Sequence, residues 1–256
     1  MWRLRLLVAA VCTIAAWGQA PSYTSSGIVN ASDYSPGPFA PGSVIALFGT
    51  NLSRSVYALQ ASDIQFPYLP TTLNYTQVIV DNSPVALFYV APGQVNFMVP
   101  ATDGVGQMTV QVVREGLAGP VITLPVINAA PALFITGNNL ALATHGDYSL
   151  VTPSAPATAG EIIVLFATGM GKTSPDPGPG EIPTYAAPLV NLSTLQVTLA
   201  GQAVDPSLIK YAGLSPGSAG LYQINLEIPS GTPANPAILV SLAGQASAAG
   251  LVLPVH

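Results

Sequence analysis

The clearest regularity in the chain is an alternation. In Gln94–Pro100, Val95, Phe97 and Val99 fall on one side, and Gln94, Asn96 and Met98 on the other. Gln223–Pro229 repeats it, with Ile224, Leu226 and Ile228 set against Gln223, Asn225 and Glu227. Period two is the signature of a strand with one buried face, and Pro100 and Pro229 end both segments because proline cannot donate to a ladder. Val44–Phe48 and Ile162–Phe166 are instead nearly continuous apolar runs, which predicts central strands covered on both faces. Further strands are predicted at 107–114, 120–127, 236–242 and 247–255. No segment has a helical period with caps, so helix content should be very low.

These segments recur in order. APGSVIALFGTNL (40–52) returns as TAGEIIVLFATGM (158–170), matching Gly42, Leu47, Phe48 and Thr50 to Gly160, Leu165, Phe166 and Thr168. QVIVDNSPV (77–85) returns as QVTLAGQAV (196–204), and QVNFMVP (94–100) as QINLEIP (223–229), the last at a longer offset that places an insertion between Val204 and Gln223. Ordered recurrence at about half the chain length means duplication. With six or seven short strands per unit, the fold class is all-β: two tandem immunoglobulin-like β-sandwich domains, over 21–128 and 129–256, with the connector at Asn128–Pro131. Residues 172–187, rich in proline, read as an extended surface loop.

Composition adds a compartment. Residues 1–20 carry Arg3 and Arg5, an apolar run from Leu6 to Ala16, and the small residues Gly18 and Ala20, which is the pattern of a secretory signal peptide cleaved near Ala20. The run is too short for a stable membrane span. A lipoprotein anchor at Cys12 fits poorly, because Val11 stands where a small residue is wanted. Cleavage also removes Cys12, Trp2 and Trp17, leaving a mature chain with neither cysteine nor tryptophan, hence without disulfides, thiol nucleophiles or thiolate-bound metals. The four remaining cations, Arg54, Arg114, Lys172 and Lys210, are scattered among eleven acids, so nucleic acid is not an expected partner. Only 7% of residues are charged, while Gly and Pro number 24 and 25, a composition for strands and turns.

GIVNASDYSPGPFAPGSVIALFGTNL, VALFYVAPGQVNFMVP, SLVTPSAPATAGEIIVLFATGMG and YAGLSPGSAGLYQINLEIP together resemble the uncharacterised Solibacter-type C-terminal domain family, a module of secreted bacterial proteins. The resemblance spans Gly27–His256. It implies secretion and two TIG-type (IPT-like) immunoglobulin-like units, and it brings no activity with it. Such modules often follow other extracellular domains, whereas here the module is expected directly behind the signal peptide.

Candidate chemistry is sparse. Gly213–Gly217 (GLSPG) fits the G-x-S-x-G pattern of a nucleophile elbow, but the oxyanion hole there needs the N–H of the residue after the serine, and Pro216 has none. A turn equivalent to VAPGQ (90–94) is the simpler reading. His145, with Asp147 and Ser149 two and four residues on, lacks the hydrogen-bond chain of a triad and reads as a solvated loop histidine. The acids are single and dispersed, without a calcium-loop pattern, so no cofactor or metal is expected.

Gln94, Asn96, Gln223 and Asn225 form either a polar recognition strip or amides bonded to neighbouring turns. Tyr57, Tyr68, Tyr75, Tyr89, Tyr148, Tyr185, Tyr211 and Tyr222 are either sugar-stacking rings or core edges. Tyr185, in the proline-rich loop, is singled out as a loop contact. Asn30, Asn51, Asn74 and Asn191 begin N-x-[ST] sequons and read as ordinary loop asparagines in a bacterial setting.

The function these features support is a secreted, non-catalytic binding or scaffolding protein whose partner is an extracellular protein or glycan. The alternative is an extracellular carbohydrate-binding protein, or a hydrolase whose site is assembled from dispersed residues. One consequence is checkable at once: secreted protein should have an intact mass lacking residues 1–20 and emit no tryptophan fluorescence, and retained tryptophan emission would contradict the cleavage.

Overall fold

A computed structural model describes residues 18–100 and 105–256. The expected signal peptide lies outside the described residues, apart from Gly18, Gln19 and Ala20. Among the described residues, helix is confined to four single turns of 3-10 type, at Ser25–Gly27, Ala61–Asp63, Leu192–Thr194 and Pro206–Leu208. Everything else regular is strand, packed as two immunoglobulin-like sandwiches.

Each sandwich has a front and a back sheet. The first front sheet runs, in spatial order, through Ile28–Asn30, Val44–Phe48, Gln94–Met98, Leu87–Ala91 and Tyr57–Ala58. The second repeats that order with Ala132–Leu133, Ile162–Thr168, Tyr222–Glu227, Ile209–Leu214 and Ala187–Pro188. The back sheets centre on Gly106–Arg114 beside Thr76–Val80, and on Ala237–Leu242 beside Gln196–Leu199. Their inward residues make two separate cores. Ile45, Leu47, Val95, Phe97, Val78 and Val110 belong to one, and Ile163, Leu165, Ile224, Leu226, Val197 and Val240 to the other. The division between the cores falls between Val126 and Ala129. Burying each such side chain contributes about 1.5–3 kcal/mol, which is how the described residues, among which there is no cysteine, are held together.

Several expectations change. Val44–Phe48 and Ile162–Thr168 are central strands, but their outer faces are only partly covered, with Phe48 and Ile162 exposed. The expected strand at 247–255 is broken: Ala237–Leu242 turns at Ala243 and Gly244 into Gln245–Ala246, and a separate strand, Leu251–Val252, follows. The insertion between Val204 and Gln223 is split in two. Part forms the 3-10 turn at Pro206–Leu208, and part lengthens the two-residue turn Pro92–Gly93 of the first unit into the loop 215–221 of the second.

That longer loop, together with the proline-rich segment, joins the units. Leu69 N–H donates to Gly180 O (2.9 Å) and Ile182 N–H to Pro67 O (2.7 Å) across the joint, and within the second unit Gly217 N–H donates to Pro183 O (2.7 Å). Residues 172–187 are therefore not a free surface loop, since their middle lies along the first unit. Leu69, Ala86, Met98 and Ala219 make a third, smaller apolar cluster between the units, flanked by Leu59, Ile64, Phe88 and Ile182.

At the centre of the joint, the fully buried hydroxyl of Thr168 accepts from Val44 N–H (2.9 Å). It also lies within donating distance of Gly220 O (3.1 Å) and Gly42 O (3.3 Å). Gly42 is at φ 77°, and a Cβ there would come within 2.5 Å of the Tyr222 hydroxyl, which itself donates to Gly171 O (2.6 Å). Its counterpart Gly160 meets nothing within 4 Å.

Thr168→Val keeps the side-chain shape but takes away the acceptor of Val44 N–H and the single hydroxyl proton shared between Gly220 O and Gly42 O. We expect a loss of about 1–3 kcal/mol, read as a lower urea midpoint. Thr50→Val, at the matched but exposed position, should stay within about 0.5 kcal/mol. Equal effects at the two sites would remove Thr168 from its role.

Candidate functional site

Pleating decides what the first front sheet offers to solvent. Ile45 and Leu47 point inward opposite Phe97 and Val95, so Val44, Ala46 and Phe48 point outward opposite Met98, Asn96 and Gln94, with Tyr89 beside Asn96. One end of this outer face is closed by the second unit: a Cβ on Gly220 would lie 2.9 Å from Val44 and 3.1 Å from the Met98 sulfur. The other end, at Phe48 and Gln94, is open, and Phe48 is 38% exposed.

Sequence reading paired the amides with neighbouring turns or with a ligand, and the structure pairs them with each other. Gln94 Nε2 donates to Asn96 Oδ1 (2.9 Å), and Gln223 Nε2 to Asn225 Oδ1 (3.1 Å). This arrangement leaves Gln94 Oε1 and Asn96 Nδ2 available to solvent or ligand. The whole grouping recurs: Phe166 lies opposite Gln223 and Tyr211 opposite Asn225, as Phe48 and Tyr89 do in the first unit. In the second unit Tyr211 is committed to closing the sheet edge, donating to Leu214 O (2.8 Å) and accepting from Ala187 N–H (3.1 Å).

Beside the first strip lies Tyr34, which sequence reading passed over. Its ring centroid is 6.0 Å from that of Phe48, with the planes at 48°. Asp33 Oδ1 accepts from Ser35 N–H (2.9 Å) and Ser35 Oγ (2.6 Å), and Tyr34 N–H donates to Asn30 O (3.0 Å). The second unit has the same Asp-Tyr-Ser loop at 147–149, with Asp147 Oδ1 accepting from Ser149 N–H (3.0 Å) and Oγ (2.6 Å). The signal was in the sequence as a fourth repeated block, too short and too differently spaced to stand out. Under the first loop, Asn30 Oδ1, Ser32 Oγ and Asp33 Oδ2 are buried without a protein partner.

The remaining sequence candidates scatter. Tyr185 is half-buried and packs on the second core. Tyr222 is buried. Ser215 follows the strand end at Leu214, its N–H bonded to Leu221 O (2.9 Å) and its side chain largely buried, so GLSPG is the strand end and the start of the loop that stands where VAPGQ turns in the first unit.

His145 is not a solvated histidine. Nδ1 pairs with Glu161 Oε1, Nε2 with Ala155 O (3.1 Å), and Glu161 Oε2 accepts from Thr158 N–H (3.0 Å). Ser149 bonds Asp147 instead, so no triad chain forms. The Glu161 hydrogen bond holds the imidazole above its ordinary pKa. Partial burial pushes the Glu161 carboxyl up, but the bonds from His145 and Thr158 outweigh it and leave the carboxyl below its ordinary range.

Among the described residues, no three His, Cys, Asp or Glu side chains are grouped to hold a metal. Among the described residues, Arg54 pairs with Glu115, Arg114 donates to Gln19 O, and Lys210 pairs with Glu227, so these three cations form no patch. An apolar cleft of about 200 Å³ opens at the joint among Leu69, Val80, Pro84, Val85, Met98 and Pro179. Asp81, a carboxylate in its lining, accepts from Thr109 N–H (2.8 Å). No helix among the described residues is long and apolar enough to cross a membrane.

No family model matches the chain, and no curated protein does. Solved structures do. The SGBP-B protein of the Bacteroides ovatus mixed-linkage glucan utilization locus, in complex with a mixed-linkage heptasaccharide, is 14% identical over 94% of this chain and 47% of its own, with a TM-score of 0.32. A surface glycan-binding protein of Prevotella bryantii is 15% identical over 92% and 42%, at 0.28. Domains 5–6 of the S-layer protein SbsC are 11% identical over 89% and 96%, at 0.26. The chain spans about half the length of the two glycan-binding proteins, and at these values the likeness is one of β-sandwich architecture alone.

The His145–Glu161 pair yields a signed pH effect. The raised histidine contributes stability below its ordinary value of 6.5, lost as pH rises through the raised one. The lowered glutamate contributes above its ordinary 4.5, lost as pH falls. The melting-temperature gap between the wild type and His145→Gln should therefore be widest between these two values and close at alkaline pH. A gap that widens as pH rises above 6.5 would contradict the pairing.

Proposed function

We propose that the chain is a secreted, non-catalytic binding or scaffolding module that engages an extracellular glycan or protein through the outer face of its first front sheet. The observation that carries this reading is the open, uncharged grouping of Tyr34, Phe48, Gln94 and Asn96, in a protein whose charged side chains are few. Secretion rests on the pattern of residues 1–20, and membership of the Solibacter-type C-terminal domain family on the segments quoted above. Against the hydrolase alternative stand the two filled nitrogens of His145 and the missing donor at Pro216.

Purified protein is expected to leave ester, peptide and glycan substrates intact, and Ser215→Ala and His145→Ala to leave its binding unchanged. Turnover of any of these substrates that disappears in either variant, with the circular dichroism preserved, would overturn the non-catalytic reading.

A further inference from the structure

Tyr34 and Tyr148 occupy equivalent positions in the two units, at φ 59° and 69°. A bulky L-residue is disfavoured in that left-handed region, and glycine would take it without cost. Yet both loops keep tyrosine there, clamped by the same Asp–Ser bonds, and both rings are turned out, 58% and 86% exposed. A third tyrosine at positive φ, Tyr75, sits in the two-residue turn Asn74–Tyr75, where both positions need that conformation. The Asp-Tyr-Ser loops are different: backbone strain is held in order to present a ring that adds little packing, and such outliers gather at functional sites.

In the first unit the presented ring has company. Tyr34 and Phe48 give two inclined aromatic faces, and next to them Gln94 and Asn96 offer an amide oxygen and an amide NH2. A pyranose has the complementary chemistry, with C–H faces that lie against aromatic rings and a rim of hydroxyls that both donate and accept. The titratable group of that loop, Asp33, has one oxygen bonded within the loop and the other buried, so no charge is aimed at the strip. An ionic ligand would be desolvated there without compensation. A protein partner needs about 800 Å² on each side, and this face is cut short at Val44 and Met98 by the 215–221 loop.

We infer that the ligand of this face is a neutral polysaccharide, stacked on Tyr34 and Phe48 and hydrogen-bonded by Gln94 and Asn96. The inference rests on the binding-face reading above and names its substrate class and its residues.

Native affinity electrophoresis of the full secreted chain tests it, with hydroxyethylcellulose, galactomannan and glycogen as neutral probes and polygalacturonate and alginate as charged ones. At least one neutral polymer should retard the protein, and the charged ones should not. Tyr34→Gly and Phe48→Ala should each weaken retention about tenfold, Asn96→Ala should weaken it less, and Tyr34→Phe should keep it. Because glycine relieves the strained backbone, the melting temperature of Tyr34→Gly should hold or rise while binding falls, a divergence that a merely structural role does not produce. Retardation by no neutral polymer overturns the ligand class, and retardation unchanged in Tyr34→Gly and Phe48→Ala overturns the site. Depolymerisation of a probe that needs His145 overturns instead the non-catalytic reading beneath it.

Discussion

The buried hydroxyl of Thr168 touches backbone groups from two segments, one in each unit, and the relation between the two units depends on it. Val44 and Gly42 belong to the first unit and Gly220 to the insertion loop of the second, so one side chain ties the central strand of one sandwich to the loop that covers it. Around it, Leu69, Ala86, Met98 and Ala219 exclude water, and the proline-rich segment adds backbone bonds at Leu69 and Ile182. An unpartnered polar group is costly only when water cannot reach it, so the apolar cluster gives the hydroxyl its weight.

The same closure divides the outer face of the first front sheet. Val44 and Met98 are under the second unit, while Phe48 and Gln94, a few residues along the same strands, are not. Duplication supplied two copies of the Phe–Gln–Asn–Tyr arrangement, and the joint and the sheet edges then made them unequal. Tyr211 is bonded into the edge of its sheet, and Phe48 rather than Phe166 acquires a neighbouring tyrosine ring.

What could be read from sequence follows the range of the interactions. Val95, Phe97 and Val99 announce their face through period two, which is a local property, and the repeat of Gly42 and Gly160 shows from matching letters alone. That Gly42 is pressed against Tyr222 while Gly160 is open depends on inter-unit packing, which leaves no local trace. Thr50 and Thr168 are likewise the same letter in the same block, one exposed and one fully buried. The proline content of 172–187 pointed away from a regular ladder, and the segment enters one only at Ala187, but it did not reveal the bonds to Leu69 and Pro67. His145 and Glu161 are sixteen positions apart and meet only once the strand beginning at Ile162 is laid down.

The clamped Asp-Tyr-Ser loops acquire a further meaning from the joint between the units. Two loops on a flexible tether sample many separations, and a ligand reaching both must first freeze one of them. In this structure a packed, hydrogen-bonded joint sets that separation, with Leu69 bonded to Gly180 and Ile182 to Pro67, so the entropy of ordering the two units is lost on folding and not on any later contact.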